Sequence, residues 1–127
     1  PIHRAVGARS GVATTLNNIG TVYLDLGEKQ KALSFYNQVL PIDRALKDRA
    51  GEATTLNNIG RVYDDLGEKQ KALSFYNQAL PLSRAVGDRA LEARILFNIA
   101  DLERSKGNLQ TALTQIEASI KFLVICA

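Results

Sequence analysis

Apolar residues recur along the chain at intervals of three and four. Ala13, Leu16, Ile19, Gly20, Tyr23 and Leu26 fall on one stripe of a helix with about 3.6 residues per turn, with polar residues between them. Gly27 follows, where a helix C-terminus calls for a residue with positive φ. A second stripe, Ala32, Leu33, Tyr36, Val39 and Leu40, continues to Ala45 and Leu46 and ends at Lys47 and Asp48. Asp48 and Asp88 are suited to cap the helices that follow them, because a carboxylate accepts from the free amides of a first helical turn. The pattern predicts helices near 11–25, 29–46, 50–65, 69–86, 90–105 and 109–125. Pro41 and Pro81 fall inside the second helix of their pairs. Each removes an amide donor and crowds the carbonyl four residues back, at Asn37 and Asn77, which predicts a kink rather than a break.

The pattern is copied along the chain. Gly11 to Gly20 reads GVATTLNNIG and Gly51 to Gly60 reads GEATTLNNIG; between residues 11–50 and 51–90, 32 of 40 positions are identical. A third, diverged copy starts at Leu91 and keeps Glu92, Ala93, Leu96, Asn98, Ile99, Gly107, Gln110, Ala112 and Leu113. The opening PIHRAVGARS matches PIDRALKDRA from Pro41 and PLSRAVGDRA from Pro81, so the chain is expected to begin inside the last helix of a preceding copy. The expected organisation is residues 1–10 as the end of a truncated repeat, then repeats at 11–50, 51–90 and 91–127, the last diverged and terminal. A two-helix unit of this size cannot bury its apolar stripe alone, so an all-α solenoid of stacked units is the available architecture. Gly20 and Gly60 lie mid-helix on that stripe, where Gly costs about 1 kcal/mol relative to Ala; close approach of another helix is the expected compensation.

Leu16, Ile19, Gly20 and Tyr23 before Gly27, with Ala32, Tyr36 and Val39 after it, resemble the pattern of a tetratricopeptide repeat. The second copy presents the same pattern in Leu56, Ile59, Gly60, Tyr63, Ala72, Tyr76 and Ala79. Its period of 40 exceeds the family's usual period of about 34 and is similar to the longer variant of kinesin light chain and of adaptors with a Leu-x-Asn-x-Gly core. The third copy departs at Ala100, Glu103 and Ile116, and its stretch from Asn98 to Lys121 resembles the final repeat before a caspase-like CHAT domain in some large bacterial proteins. The resemblance implies a right-handed α-α superhelix and a non-enzymatic module for binding protein. It also implies a concave groove lined by the first helices, where the Asn two residues before the core Gly bonds the backbone of an extended peptide. Asn18, Asn58 and Asn98 match that position.

Helical geometry places further candidates on the same side. At about 100° per residue, Thr14, Asn17, Asn18, Thr21 and Asp25 cluster opposite the apolar stripe of the first repeat. Thr54, Asn57, Asn58, Arg61 and Asp65 repeat the cluster, and the third copy offers Arg94, Phe97, Asn98, Asp101 and Arg104. Arg61, Arg94 and Arg104 would favour an acidic segment and Phe97 an apolar contact. Adjacent Asn residues in mid-helix cost several tenths of a kcal/mol relative to Ala, so they call for a reason: peptide binding, or hydrogen bonds to neighbouring helices copied with the repeat.

Composition narrows the remaining chemistry. The chain is 46% apolar and 23% charged, ordinary for a folded domain, and its net charge of +3 is scattered rather than patched, so nucleic acid is not an expected partner. The lone Cys126 cannot form an internal disulfide, which fits a reducing cytoplasm. The longest apolar run, Phe122 to Ala127, falls far short of the roughly 18 to 20 residues of a membrane span. With helix layers about 8 to 10 Å apart, His3 and Cys126 lie at opposite ends of any solenoid and cannot form a catalytic dyad. Asp25, Asp64 and Asp65 gather near helix ends, but a metal site wants more oxygen ligands in one loop; no metal and no cofactor is expected. Lys29, Lys31, Lys69 and Lys71 read as solvated charges of the convex face. The last helix carries Ile116, Ile120, Leu123 and Val124 without a polar capping helix after it, and the stub before Gly7 is too short to cover the first helix. Self-association through the ends, by stacking or by exchange of elements, is therefore expected, and the rival roles to peptide binding are an assembly segment and a regulatory arm of a larger protein.

Overall fold

The computed structural model describes residues 2–105 and 109–125, with side chains described for 5–105 and 113–124. It consists of α1 (Ile2–Asp25), α2 (Lys29–Ala45), α3 (Arg49–Asp65), α4 (Lys69–Val86), α5 (Arg89–Ser105) and α6 (Leu109–Ile125), with no strand among the described residues. α1 packs on α2, α3 on α4 and α5 on α6 as hairpins, while α2 against α3 and α4 against α5 join one hairpin to the next. α2 to α6 lie within one residue of the expected bounds.

Local chemistry sets those bounds. Gly27 and Gly67 take φ +80°, and the amides after them, Glu28 and Glu68, donate to the carbonyls of Tyr23 and Tyr63 at 2.8 and 2.9 Å, closing the hairpin turns. Between hairpins the left-handed position is Lys47 (φ 55°) in one turn and Gly87 (φ 72°) in the other. Asp48 Oδ1 then accepts from the Gly51 amide at 2.9 Å, and Asp88 Oδ1 from the Leu91 amide at 3.0 Å, as the capping argument requires. α2 and α4 continue through Pro41 and Pro81 without a break.

α1 differs from expectation: it starts at Ile2 rather than at residue 11. The corresponding turn would fall at Gly7 and Ala8, and every device that makes the later turns is missing there. Ala8 has no side-chain oxygen to cap a helix, and Gly7 is not in the left-handed region. At the later turns Arg44 pairs with Glu52 at 3.0 Å and Arg84 with Glu92 at 2.7 Å; the position of Glu52 and Glu92 is Val12 in the first copy. With no stop signal the helix propagates.

The two mid-helix glycines are explained by packing. A Cβ on Gly20 would lie 2.8 Å from Cε1 of Tyr36, and one on Gly60 2.6 Å from Cε1 of Tyr76, both rings being buried. Each tyrosine ring thus lies flat against the bare backbone of its partner helix. The third repeat changes both sides of this contact at once: Ala100, fully buried, stands where the Gly was, and Ile116 where the ring was. Stacked pairs, Tyr23 on Phe35 and Tyr63 on Phe75 with centroids 5.4 Å apart, pack next to the turns of the first two hairpins. Their counterparts in the third are Glu103 and Gln115.

Between the first two hairpins lies a buried carboxylate. Asp43 is 3% exposed and accepts from the Thr55 hydroxyl at 3.1 Å. Burial raises its pKa above the usual carboxylate range, opposed by the Thr55 hydrogen bond and reinforced by the negative charges of Asp48 and Glu52. The equivalent pair at the next junction is Ser83 and Ile95.

Two outcomes follow for stability. Overpacking costs about 1 to 3 kcal/mol, against a helix-propensity gain of about 1 kcal/mol, so Gly60→Ala should lower stability in urea; adding Tyr76→Ile, the pairing of the third repeat, should cost less than the two changes summed. Because the folded state holds the Asp43 proton more tightly than the unfolded chain does, its cost is absent below the ordinary carboxylate pKa and grows as pH rises through the raised folded value. Asp43→Asn, which keeps an acceptor for Thr55, should therefore stabilise the protein at pH 7, and denaturation curves should show that advantage closing near about pH 3.

Candidate binding face

The first helices of the hairpins lie side by side, α3 touching α5 directly. Two amide bridges hold their register: Asn58 Nδ2 donates to Asn17 Oδ1 at 3.2 Å, and Asn98 Nδ2 donates to Asn57 Oδ1 at 3.0 Å. The residues expected on one face differ in exposure. Thr14, Asn18, Thr21 and Asp25 on α1, Arg61 and Asp65 on α3, and Arg94, Asp101 and Arg104 on α5 are exposed; Asn17, Thr54, Asn58 and Asn98 are half-buried.

One member is not on the surface. Asn57 is 2% exposed, enclosed between α3 and α5 with its oxygen held by Asn98, so it is part of the seam and not of the surface. Phe97, at the same repeat position as Asn17 and Asn57, is exposed. A 100° projection cannot separate these cases. It assigns an angle around one helix, whereas the neighbouring helix decides which part of that arc is covered.

One residue that supports Thr21 from beneath was missed. The Tyr36 ring passes against Gly20, and its hydroxyl lies 2.8 Å from the Thr21 hydroxyl, which also donates to the Asn17 carbonyl at 3.1 Å. The signal was present in the sequence, since Gly20 and Tyr36 recur together as Gly60 and Tyr76. Burial raises the Tyr36 pKa, offset by the Thr21 hydrogen bond and Arg61 and reinforced by Asp25. Burial also drives the Tyr76 phenol far above its usual value; Asp64, Asp65 and Asp101 add to the shift and Arg61 opposes it.

One of the arginines has an acidic partner: Arg104 Nη2 donates to Asp101 Oδ1 at 2.8 Å. The lysines also have partners beyond solvent. Lys29 donates to the Asp65 carbonyl at 3.0 Å, Lys69 pairs with Asp64 at 2.6 Å, and Lys31 and Lys71 lie 5.4 Å above the rings of Tyr23 and Tyr63. Among the described residues no group of three or more His, Cys, Asp or Glu is placed to hold a metal ion, and no helix is long and apolar enough to cross a membrane. Cys126 and the side chain of His3 lie outside the described residues.

The family model of the tetratricopeptide repeat matches residues 2–45 and 11–85. The chain belongs to the tetratricopeptide repeat family. Solved structures agree on the fold: the TPR domain of Arabidopsis FLU superposes with a TM-score of 0.84 at 20% identity, covering 92% of this chain and 98% of that one. BtubC (BKLC) from P. vanneervenii gives 0.83 at 21% identity over 91% of this chain and 48% of that one, about half its length. The N-terminal domain of stress-induced protein-1 (STI-1) from C. elegans gives 0.75 at 18%, over 91% and 87%. No curated protein matches the sequence. The architecture is thus the all-α, right-handed α-α superhelix of tetratricopeptide repeats, modules that are generally non-enzymatic and serve protein–protein interaction.

In this tetratricopeptide array the paired asparagines separate by role. Asn57→Ala orphans the Asn98 donor in a buried seam and should cost about 1 to 3 kcal/mol in denaturant unfolding, whereas exposed Asn18→Ala should leave stability unchanged or slightly higher.

Proposed function

We propose that the chain binds an extended peptide segment of a partner protein across the exposed face of α1, α3 and α5. The observation that supports this reading is a polar wall repeated at each first helix and held in register by the Asn58–Asn17 and Asn98–Asn57 bridges. A primary amide carries two N–H groups and one oxygen, and a bridge uses one N–H of Asn58 or Asn98; what remains suits the alternating carbonyls and amides of a main chain. Helices packed about 8 to 10 Å apart, set against about 3.4 Å per extended residue, allow roughly three ligand residues per repeat and roughly nine in all. Backbone contacts of this kind confer little sequence preference. Selectivity would come from the positions that vary between copies: Thr14, Thr54 and Arg94 along one row, and Thr21, Arg61 and Asp101 along the next. With Asp25, Asp65 and Asp101 exposed on the same three helices as Arg61, Arg94 and Arg104, the matching segment is polar and of mixed charge rather than acidic.

Nine-residue peptides selected from a display library on the whole chain test the reading by calorimetry. Asn18→Ala, which disturbs no inter-helix bridge, should weaken a selected peptide about tenfold, the equivalent of about 1.4 kcal/mol, and Arg61→Thr should change which peptides are selected. Equal affinity and an unchanged selection in both variants would remove this face as the site.

A further inference from the structure

The junction between the first two hairpins encloses a cavity of about 80 Å³ among α1, α2 and α3. Asp43, 3% exposed, forms its buried wall, and Ser10, Thr14 and Asp48, all exposed, stand at its mouth. One oxygen of Asp43, Oδ2, accepts from Thr55 at 3.1 Å. The other, Oδ1, accepts no hydrogen bond from the described residues and is turned into the cavity, 3.1 Å from where a Cβ on Gly51 would stand. Asp48 divides its oxygens in the same way: Oδ1 accepts from the Gly51 amide, and Oδ2 lies 2.5 Å from that same point. Two carboxylate oxygens thus converge on one small space, and the charged groups that act on Asp43 are Asp48 and Glu52, both acids.

The second junction is built from the same repeat without this feature. Leu91, 3% exposed, stands at the position of Gly51, and Ser83, whose hydroxyl donates to the Leu80 carbonyl at 2.7 Å, at the position of Asp43. Where the second junction places a buried leucine, the first has a glycine; where the second has a hydroxyl bonded to its own helix, the first has a carboxylate with one oxygen unpaired. Packing gives no reason for this pair of changes. A buried carboxylate without a full set of donors costs free energy, and the second junction holds without one. A cation entering the cavity offsets that cost.

The geometry discriminates among cations. A calcium ion takes about six to eight oxygens, more than converge here. An arginine fork pairs with both oxygens of one carboxylate, but Asp43 Oδ2 is held by Thr55 and Asp48 Oδ1 by the Gly51 amide, so neither carboxylate presents two. A primary ammonium carries three N–H donors that can reach separate acceptors. About 80 Å³ holds it with about two methylenes, at about 30 Å³ for each water-sized group. Thr14 and Asn17 line both this cavity and the wall proposed to carry the peptide. We propose, on the basis of that peptide-binding reading, that the cavity takes a lysine side chain of the bound segment, its ammonium donating to Asp43 Oδ1 and Asp48 Oδ2.

Nα-acetyl-lysine methylamide, titrated into the isotopically labelled whole chain, reads the cavity through the amide resonances of Gly51 and Thr55. Both should shift saturably, and the norleucine analogue, which lacks only the ammonium, should bind about tenfold more weakly or worse. Asp43→Asn keeps the shape and the acceptor for Thr55; it should weaken the lysine probe about tenfold or more while the chain unfolds no earlier in denaturant. Asp43→Ser combined with Gly51→Leu, the residues of the second junction, should abolish the shifts. Among display-selected peptides, lysine should be enriched at one position, and Asp43→Asn should erase the enrichment. No saturable shift, equal affinity for the norleucine analogue, or undiminished affinity in Asp43→Asn would each overturn the proposal. Selected peptides that lack a preferred lysine yet weaken on Asn18→Ala overturn it while leaving the peptide face in place. A lysine probe that still binds when Asn18→Ala has no effect on the peptides removes the face and keeps the cavity as an ammonium site.

Discussion

Each of the first two hairpins depends on a tyrosine ring lying against a glycine. A Cβ on Gly20 or Gly60 would stand within 3 Å of the ring of Tyr36 or Tyr76, so the two helices can come this close only where no side chain intervenes. The contact sets the separation of the hairpin's helices, buries the largest side chains of the core, and in the first hairpin delivers the Tyr36 hydroxyl to Thr21 at the surface. The third hairpin shows that the constraint belongs to the pair and not to either residue. There a buried Ala100 stands at the glycine position and Ile116, smaller than a ring, at the tyrosine position.

Stacking of hairpins follows a different chemistry from closure within one. The cores within hairpins are apolar and aromatic, whereas the junctions are bridged by Arg–Glu pairs, Asn–Asn amides and an Asp–Thr bond. Exposed ion pairs contribute little to stability, but a hydrogen-bonded pair with one fixed geometry penalises sliding of one helix along another. Buried Glu92, bonded by the half-exposed Arg84 at 2.7 Å, shows the arrangement most clearly: its carboxylate would be costly without that partner. The junctions therefore set register, and register aligns the first helices into one surface.

That surface is where the proposed peptide would bind. A solenoid whose hairpins contact only their neighbours has no central pocket in which catalytic groups could converge, but it presents a long, pre-organised face. Pre-organisation matters because a ligand that binds in extended form loses backbone entropy, and a receptor already held in register loses little more. The variable rows along the wall, threonine in one repeat and arginine in the next, would adjust specificity for such a ligand without changing the glycine and tyrosine positions behind them.

The sequence by itself determined the helices, the hairpin turns and the family. Those features rest on local rules: a 3.6-residue apolar period, glycines at positive φ, aspartates capping free amides, and a Gly–Tyr spacing copied between repeats. What only the tertiary structure decided was everything set by a neighbour. Asn57 and Asn58 are adjacent and chemically identical, yet one is sealed between α3 and α5 while the other remains half open, because the covering helix arrives from one side only. The start of α1 was misplaced because the repeat alignment transferred a turn onto Gly7 and Ala8, where the capping carboxylate and the crossing ion pair that make such a turn are absent. Periodicity records which residues a helix can bury; which of them are buried is set by what packs against it.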